Sequence, residues 1–309
     1  MRFPFADAHC DYLYCDCFRE YDIVNPIQGQ MMSIDRMLEG NVKLQCFAVW
    51  TDKKLRMTPL QQAMNMIDVY HCILETYDDI CEFDADFDEN SGRIATVLTM
   101  EGGEPIGYEI ANLHNFYRLG VRAMALTWNY PNQLAYPATK QSKKGLTEFG
   151  KYVVEEMGDL GMAIDLAHLS DVCIDDVLCI TSVPVYASHS NARAVYNHPR
   201  SLNDEHIREI AKRGGVIGTN FYYAHLAGTI NVSTADVVRH IAHIAEVGGI
   251  DCVCIGSDYD GMGVTPVDLR DSSELQNLAA ALIQNGFTED EVAKITYYNL
   301  RNYLARFCL

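Results

Sequence analysis

Eight short apolar runs rich in Val, Ile, Ala and Phe recur along the chain, separated by longer segments of helical periodicity. They cover residues 3–9, 43–50, 94–100, 121–128, 162–168, 183–189, 216–221 and 252–257. Alternation of this kind is the pattern of parallel strands joined by crossover helices. Eight parallel strands close into a (β/α)8 barrel of the TIM type. The 309 residues suit one such domain, 1–309, since barrels use 250 residues or more in a single core. No linker, low-complexity tract or short repeat interrupts it.

Helix start signals fall between the runs. Thr58-Pro59-Leu60-Gln61 combines a capping Thr, a Pro at the first helical position and a Gln that can reach back, predicting a helix to about Cys81. Ser170 opens another, Ser273 to Gln276 one that ends near Gly286, and Thr288 to Glu291 is a capping box for the last.

Composition excludes several function classes. Lys and Arg number 24 against 42 Asp and Glu, a net charge of −18, so the surface repels nucleic acid phosphates and anionic headgroups. At 49% hydrophobic residues the chain is not disordered, and no run of about 18 apolar residues spans a bilayer. The N-terminus reaches Asp7 and Asp11 before an apolar signal core could form, which predicts a cytoplasmic protein. The 11 cysteines contain no CxxC pair and read as free thiols.

In a barrel of this type the chemistry sits at the C-terminal ends of the strands. Asp7-Ala8-His9-Cys10-Asp11 ends the first predicted strand and Glu101-Gly102-Gly103 the third. His168 ends the fifth, Ser188-His189-Ser190 the sixth and Asp258-Tyr259-Asp260-Gly261 the eighth. Imidazole and carboxylate form the donor set of zinc and similar divalent ions, and His9-x-Asp11 places both side chains on one side of a strand. Glu101, as a carboxylate, can bridge two ions between His9/Asp11 and His168/His189. Other histidines read differently: His71, His240 and His243 as solvated or capping residues, His198 and His225 as loop residues on the active-site side. Tyr222, Tyr223 and Tyr259 are pocket candidates. The Gly214-Gly215 and Gly248-Gly249 pairs read as helix-ending turns.

Taken together, Asp7-Ala8-His9-Cys10-Asp11, Met100-Glu101-Gly102-Gly103, Ile164-Asp165-Leu166-Ala167-His168, Ser188-His189-Ser190 with Arg200 downstream, and Ile255-Gly256-Ser257-Asp258-Tyr259-Asp260-Gly261 resemble the renal (membrane) dipeptidase family of zinc peptidases. The resemblance implies a barrel that hydrolyses dipeptides with two zinc ions, other divalent metals being possible. It implies His9 and Asp11 on the first ion, Glu101 bridging, and His168 and His189 on the second. Asp258 resembles the family's general acid/base, and Arg200 the residue that grips the substrate carboxylate. The mammalian relatives are secreted and lipid-anchored, whereas this chain is similar to a bacterial cytoplasmic member; a homodimer is the assembly left open. Where the mammalian enzymes place a His at the end of strand 4, this chain has Trp128, which donates one N–H but cannot titrate. Trp128 and Tyr222 are taken as substrate contacts.

These parts imply a hydroxide shared by two cations, attacking a carbonyl whose oxygen leans on zinc, with Asp258 moving the proton to the leaving amine. Two alternatives compete: an amidase or N-acyl amino acid hydrolase on the same barrel, and a non-catalytic metal-binding homologue.

Overall fold

Residues 2–140 and 142–308 are described by the computed structural model. Eight strands form one parallel sheet: β1 (Phe5–Cys10), β2 (Val42–Trp50), β3 (Ile80–Glu82), β4 (Ile94–Glu101), β5 (Val121–Ala125), β6 (Ala163–Asp165), β7 (Ile217–Thr219) and β8 (Val253–Ile255). Their order is β6-β5-β4-β2-β1-β8-β7, with β3 beside the first half of β4. Helices occupy most of the crossovers, as the alternation requires.

The observed eight strands are not the eight predicted. Ile80–Glu82 was read as the end of a helix, but the helix beginning at Pro59 stops at Thr76 and the chain turns into β3. Conversely, residues 183–189 form no regular strand. Pro184 has no N–H to give a ladder, so pairing begins only beyond it. Tyr186 exchanges bonds with β6 (Leu166 N to Tyr186 O, 2.8 Å; Tyr186 N to Ile164 O, 3.1 Å) and Ala187 with β7 (Gly218 N to Ala187 O, 2.8 Å). Through these single bridges the segment links the two outer strands of the curled sheet.

Strands β5 and β6 also end earlier than predicted, at Ala125 and Asp165 rather than Trp128 and His168. Trp128 and His168 therefore stand on loops beyond the strands. The caps at Thr58, Ser170 and Thr288 form as read. Ser273 does not cap the next helix: Asp271 caps a short 3-10 turn there, and the α-helix runs Leu275–Gln284.

Small strand residues, among them Ala6, Ala8, Cys46, Ala95, Ala123 and Ala163, join an apolar cluster with Tyr297, Leu300, Tyr303 and Phe307 near the C-terminus. The polar groups of this C-terminal segment bond the starts of strands: Asn299 Nδ2 to Val253 O (2.8 Å), Tyr303 Oη to Pro184 O (3.0 Å) and Arg306 Nη1 to Gly214 O (2.8 Å). The segment covers the N-terminal end of the sheet, leaving the other end for the polar residues. The 11 cysteines are free, and no helix among the described residues is long and apolar enough to cross a membrane.

The linking segment packs against glycine. A Cβ at Gly218 would stand 1.9 Å from Ser188 O and 3.1 Å from the Gly256 Cα, both backbone atoms that cannot swing aside. Gly218→Ala is expected to cost about 1–3 kcal/mol, the usual penalty of overpacking a tight interior. At Gly263 a Cβ meets nothing within 4 Å, so Gly263→Ala is expected to stay within about 0.5 kcal/mol of wild type. Urea midpoints of the two variants check the contrast; equal midpoints would show that the linking segment yields.

Candidate metal centre

Backbone pairing brings the ends of β1 and β8 together. Asp11 N donates to Tyr259 O (2.9 Å) and Asp258 N to His9 O (3.2 Å), interleaving His9 and Asp11 with Asp258. Asp258 and Asp260 turn the chain with φ of 67° and 64°, and His168 with 68°, a region that non-glycine residues enter at a cost. Glu101 is the last residue of β4, opposite Trp50 of β2. His189 is the last residue of the linking segment, two positions beyond its bridge to β7.

The six side chains converge. His9 Nε2 is 3.4 Å from Asp11 Oδ2, 3.8 Å from Glu101 Oε1 and 3.9 Å from Asp258 Oδ1. Glu101 Oε1 lies 2.8 Å from His168 Nε2 and 3.3 Å from His189 Nε2, and the two imidazole nitrogens are 2.9 Å apart. Two three-residue groups result, His9/Glu101/His189 and His9/Asp11/Asp258, each with its donor atoms within 4.8 Å of one another. Gly261 makes room for them: a Cβ there would stand 2.0 Å from Asp11 Oδ2 and 2.7 Å from Asp258 Oδ1.

Burial controls the protonation of these groups. It pushes His168 and His189 well below the usual imidazole range, helped by the positive charge of Arg200, so both are neutral. Burial acts the same way on His9, but Glu101, Asp11 and Asp258 outweigh it and drive His9 up to about 10. Glu101 is raised well above the carboxylate range by burial, with Asp11 and Asp258 adding to it. Asp258 is raised to about 7 by burial and by Asp11, against the pull of His9.

These residues fit divalent ions. Asn129 Oδ1 stands 3.2 Å from His168 Nδ1, and as an acceptor it fixes the proton there and leaves a lone pair on Nε2. His189 Nδ1 meets Ser188 Oγ at 2.8 Å. Two imidazoles that turn Nε2 atoms toward each other and toward a carboxylate form a donor set suited to a divalent cation. His9 Nε2 and Asp11 Oδ1 are, moreover, buried without a hydrogen-bond partner.

The centre opens into a cavity of about 370 Å³ lined by Asp11, Glu101, His168 and Asp258 together with Trp50, Trp128, Tyr222 and His225. Trp128 and Tyr222 thus face the space that the sequence reading gave them. Arg200 does not line it: the side chain is 4% exposed and donates from Nη2 to His189 O (3.1 Å), while its Nε has no partner. Its charge nonetheless acts on Glu101, Asp258, His168 and His189.

Several positioning residues escaped the sequence reading. Asp7 accepts from Ser257 N (2.8 Å) and Ser257 Oγ (2.5 Å), tying β1 to the end of β8. Asp165 accepts from Ala167 N and Ser188 N (both 2.9 Å), tying His168 to the His189 segment. Asn220 Nδ2 donates to Asp258 Oδ2 (2.9 Å). The available signal was an acidic residue two or three positions before a strand-end His; the partners of Asn129 and Asn220 lie 39 and 38 positions away and left none. Of the remaining histidines, His225 lines the cavity. His240 is fully buried between Leu226 O and Ala192 N rather than solvated, and His243 pairs with Asp204.

Comparison with known proteins places this geometry. Residues 1–304 match the family described as membrane dipeptidase, peptidase family M19. Dipeptidase 3 of Mus musculus is 30% identical over 312 residues, covering 96% of this chain and 63% of the mouse protein. The chain thus spans just under two thirds of that relative. The crystal structure of a family M19 metallopeptidase, described as a dipeptidase, superposes with a TM-score of 0.92 at 26% identity, covering 100% of this chain and 99% of the other. A metallopeptidase from Rhodobacter sphaeroides, bound to a phosphinate mimic of L-Ala-D-Ala, shares the fold with a TM-score of 0.91 at 24% identity, covering 99% and 100%.

Loss of either orienting contact should loosen metal binding. Asn129→Ala and Ser188→Ala are each expected to weaken zinc affinity by about 10- to 100-fold, as removal of such partners does elsewhere. Competition against a chromophoric chelator measures it. Unchanged affinity would show that neither contact orients its imidazole.

Proposed function

The chain belongs to the membrane dipeptidase family, peptidase family M19, and from that premise we propose that it is a metal-dependent dipeptidase acting on free dipeptides. The observation that carries this reading is the buried set in which Glu101 stands between His9 and the His168/His189 pair. His9, Asp11 and Glu101 would hold one zinc ion, and Glu101, His168 and His189 a second. The scaffold is read as one (β/α)8 barrel in which residues 183–189 take the remaining strand position.

When bound, the two ions supply a water of lowered pKa and an electrophile for the scissile carbonyl. The rest falls to the protein. Asn220 holds Asp258 Oδ2, leaving Oδ1, the oxygen nearer His9, free to take a proton and return it to the leaving amine. Arg200, from behind the cavity wall, supplies positive charge that draws the substrate's C-terminal carboxylate to that side of the centre. Trp50 and Trp128, in edge contact with ring centres 4.9 Å apart, wall the cavity and keep water from the amino-terminal residue. The Rhodobacter sphaeroides relative holds a mimic of a dipeptide ending in D-Ala, and acceptance of a C-terminal D-residue is extended to this chain on that likeness.

Protein reconstituted with zinc is expected to approach two ions per chain by elemental analysis, Glu101→Gln to fall below that, and Asp258→Asn to keep both. In Asp258→Asn, kcat is expected to drop about 10²- to 10⁴-fold. A metal lost from Asp258→Asn would make Asp258 a ligand, and full kcat would remove it from the mechanism.

Capping the substrate tests the other end. Free dipeptides should be cleaved, and C-terminally amidated or N-acetylated ones poorly, as followed by amine release. Amidated dipeptides turned over as fast as free ones would rule out Arg200 as the carboxylate partner, and faster turnover of N-acetylated substrates would favour an N-acyl amino acid hydrolase.

A further inference from the structure

Beside the cavity of the candidate metal centre lies a second of about 260 Å³, and Arg19, Trp50 and Trp128 line both. The second cavity adds Lys53, Lys54 and Tyr130 to its walls. Lys53 Nζ sits 3.1 Å from the centre of the Tyr130 ring, and Lys140 Nζ 5.5 Å from the same centre. Arg19 stacks over Tyr14 at 4.9 Å.

In a chain with 42 acidic and 24 basic residues, such a gathering of cations is unusual, and their partners make it more so. Three lysines elsewhere pair with carboxylates, Lys151 with Glu148, Lys212 with Glu209 and Lys294 with Asp251, while Lys144 lies over the Tyr136 ring. Among the described residues, Arg19, Lys53 and Lys140 lie over aromatic rings, and neither they nor Lys54 form an ion pair with a carboxylate. Two acids share the cavity wall, fewer than the cations Arg19, Lys53 and Lys54, and both are held by other contacts. Asp52 accepts from Tyr14 Oη (3.2 Å) and the Lys54 amide (2.9 Å), while the Glu104 carboxylate folds back onto Gly102, where a Cβ would stand 2.3 Å from its Oε2. Trp50, on the shared wall, also keeps a buried indole N–H with no hydrogen-bond partner.

We propose that Arg19, Lys53 and Lys54 with the Trp50/Trp128 wall form a subsite for an anionic side chain on the amino-terminal residue of the substrate, so that dipeptides beginning with glutamate or aspartate are favoured. The assignment rests on the dipeptidase reading. With the C-terminal carboxylate turned to Arg200 and the scissile carbonyl at the Glu101 cluster, the amino-terminal residue lies on the side of Trp50, Trp128 and Arg19. Cations held at a partly enclosed mouth lined by aromatic rings focus their field there, and an arginine can take a carboxylate with two parallel bonds.

The test uses the zinc-loaded chain and dipeptides that share one C-terminal residue and begin with glutamate, glutamine or lysine. Glutamate should exceed glutamine in kcat/KM by about three- to tenfold, mainly through KM, with lysine last, and about 0.5 M salt should erase the difference. Arg19→Gln and Lys53→Glu should bring the glutamate-to-glutamine ratio to one or below, while the remote Lys151→Glu, which changes net charge equally to Lys53→Glu, leaves it unchanged. Equal rates for glutamate and glutamine, or a ratio that survives both mouth variants, would overturn the subsite while the dipeptidase reading stands. No turnover of any dipeptide by metal-loaded protein would overturn both.

Discussion

Five buried ionisable side chains, His9, Asp11, Glu101, His168 and His189, are packed together with the partly exposed Asp258 at the floor of a cavity, and the surrounding structure serves to make that tolerable. An isolated buried charge costs so much that it neutralises instead. Here each carboxylate is kept near an imidazole, with Arg200 behind them. Burial lowers all three histidines, but Glu101, Asp11 and Asp258 outweigh it at His9, while at His168 and His189 the positive charge of Arg200 adds to it. Clustered imidazole and carboxylate donors of this kind form a set that suits a divalent cation.

Holding the six in place requires an unusual backbone. Among the described residues, three of the five non-glycine residues with positive φ, namely His168, Asp258 and Asp260, lie in or beside the centre. Each such conformation costs about 1–3 kcal/mol and persists only when the surroundings enforce it. Asp7 and Asp165 are the enforcers. Each accepts backbone N–H groups from its own loop and from the adjoining segment, so that the direction of one histidine is coupled to the position of the next element. Gly218, Gly256 and Gly261 remove the side chains that would keep these segments apart.

The two ends of the sheet divide the labour. At the N-terminal end, aromatic residues of the C-terminal segment fill the space beneath the strands and bond their first carbonyls, a stabilising role with no ionisable cluster. At the other end the strands stop short, and loops carrying Trp128, His168, Tyr222 and Asp258 surround the cavity. Early termination of β5 and β6 is what gives those loops freedom to turn inward. Chemistry and stability can therefore vary separately on this scaffold.

How much of this was legible beforehand differs by kind of feature. Periodicity and apolar runs are local properties, so the parallel sheet, most crossover helices and the caps at Thr58, Ser170 and Thr288 were readable from the chain alone. The strand-end motifs place His9, Asp11, Glu101, His168, His189 and Asp258 near one another, as the structure does, because parallel strands align their ends whatever lies between them. Errors came where local propensity yields to partners. Ile80–Glu82 becomes a strand because β4 offers it an edge, and 183–189 loses regularity because Pro184 withholds a donor. The contacts of Asn129 and Asn220, the burial of Arg200 and His240, and the adjoining aromatic cavity with its cations could come only from tertiary structure. They depend on which distant loops meet over the sheet, and a single sequence encodes the strands' directions far more strongly than the paths of the loops between them.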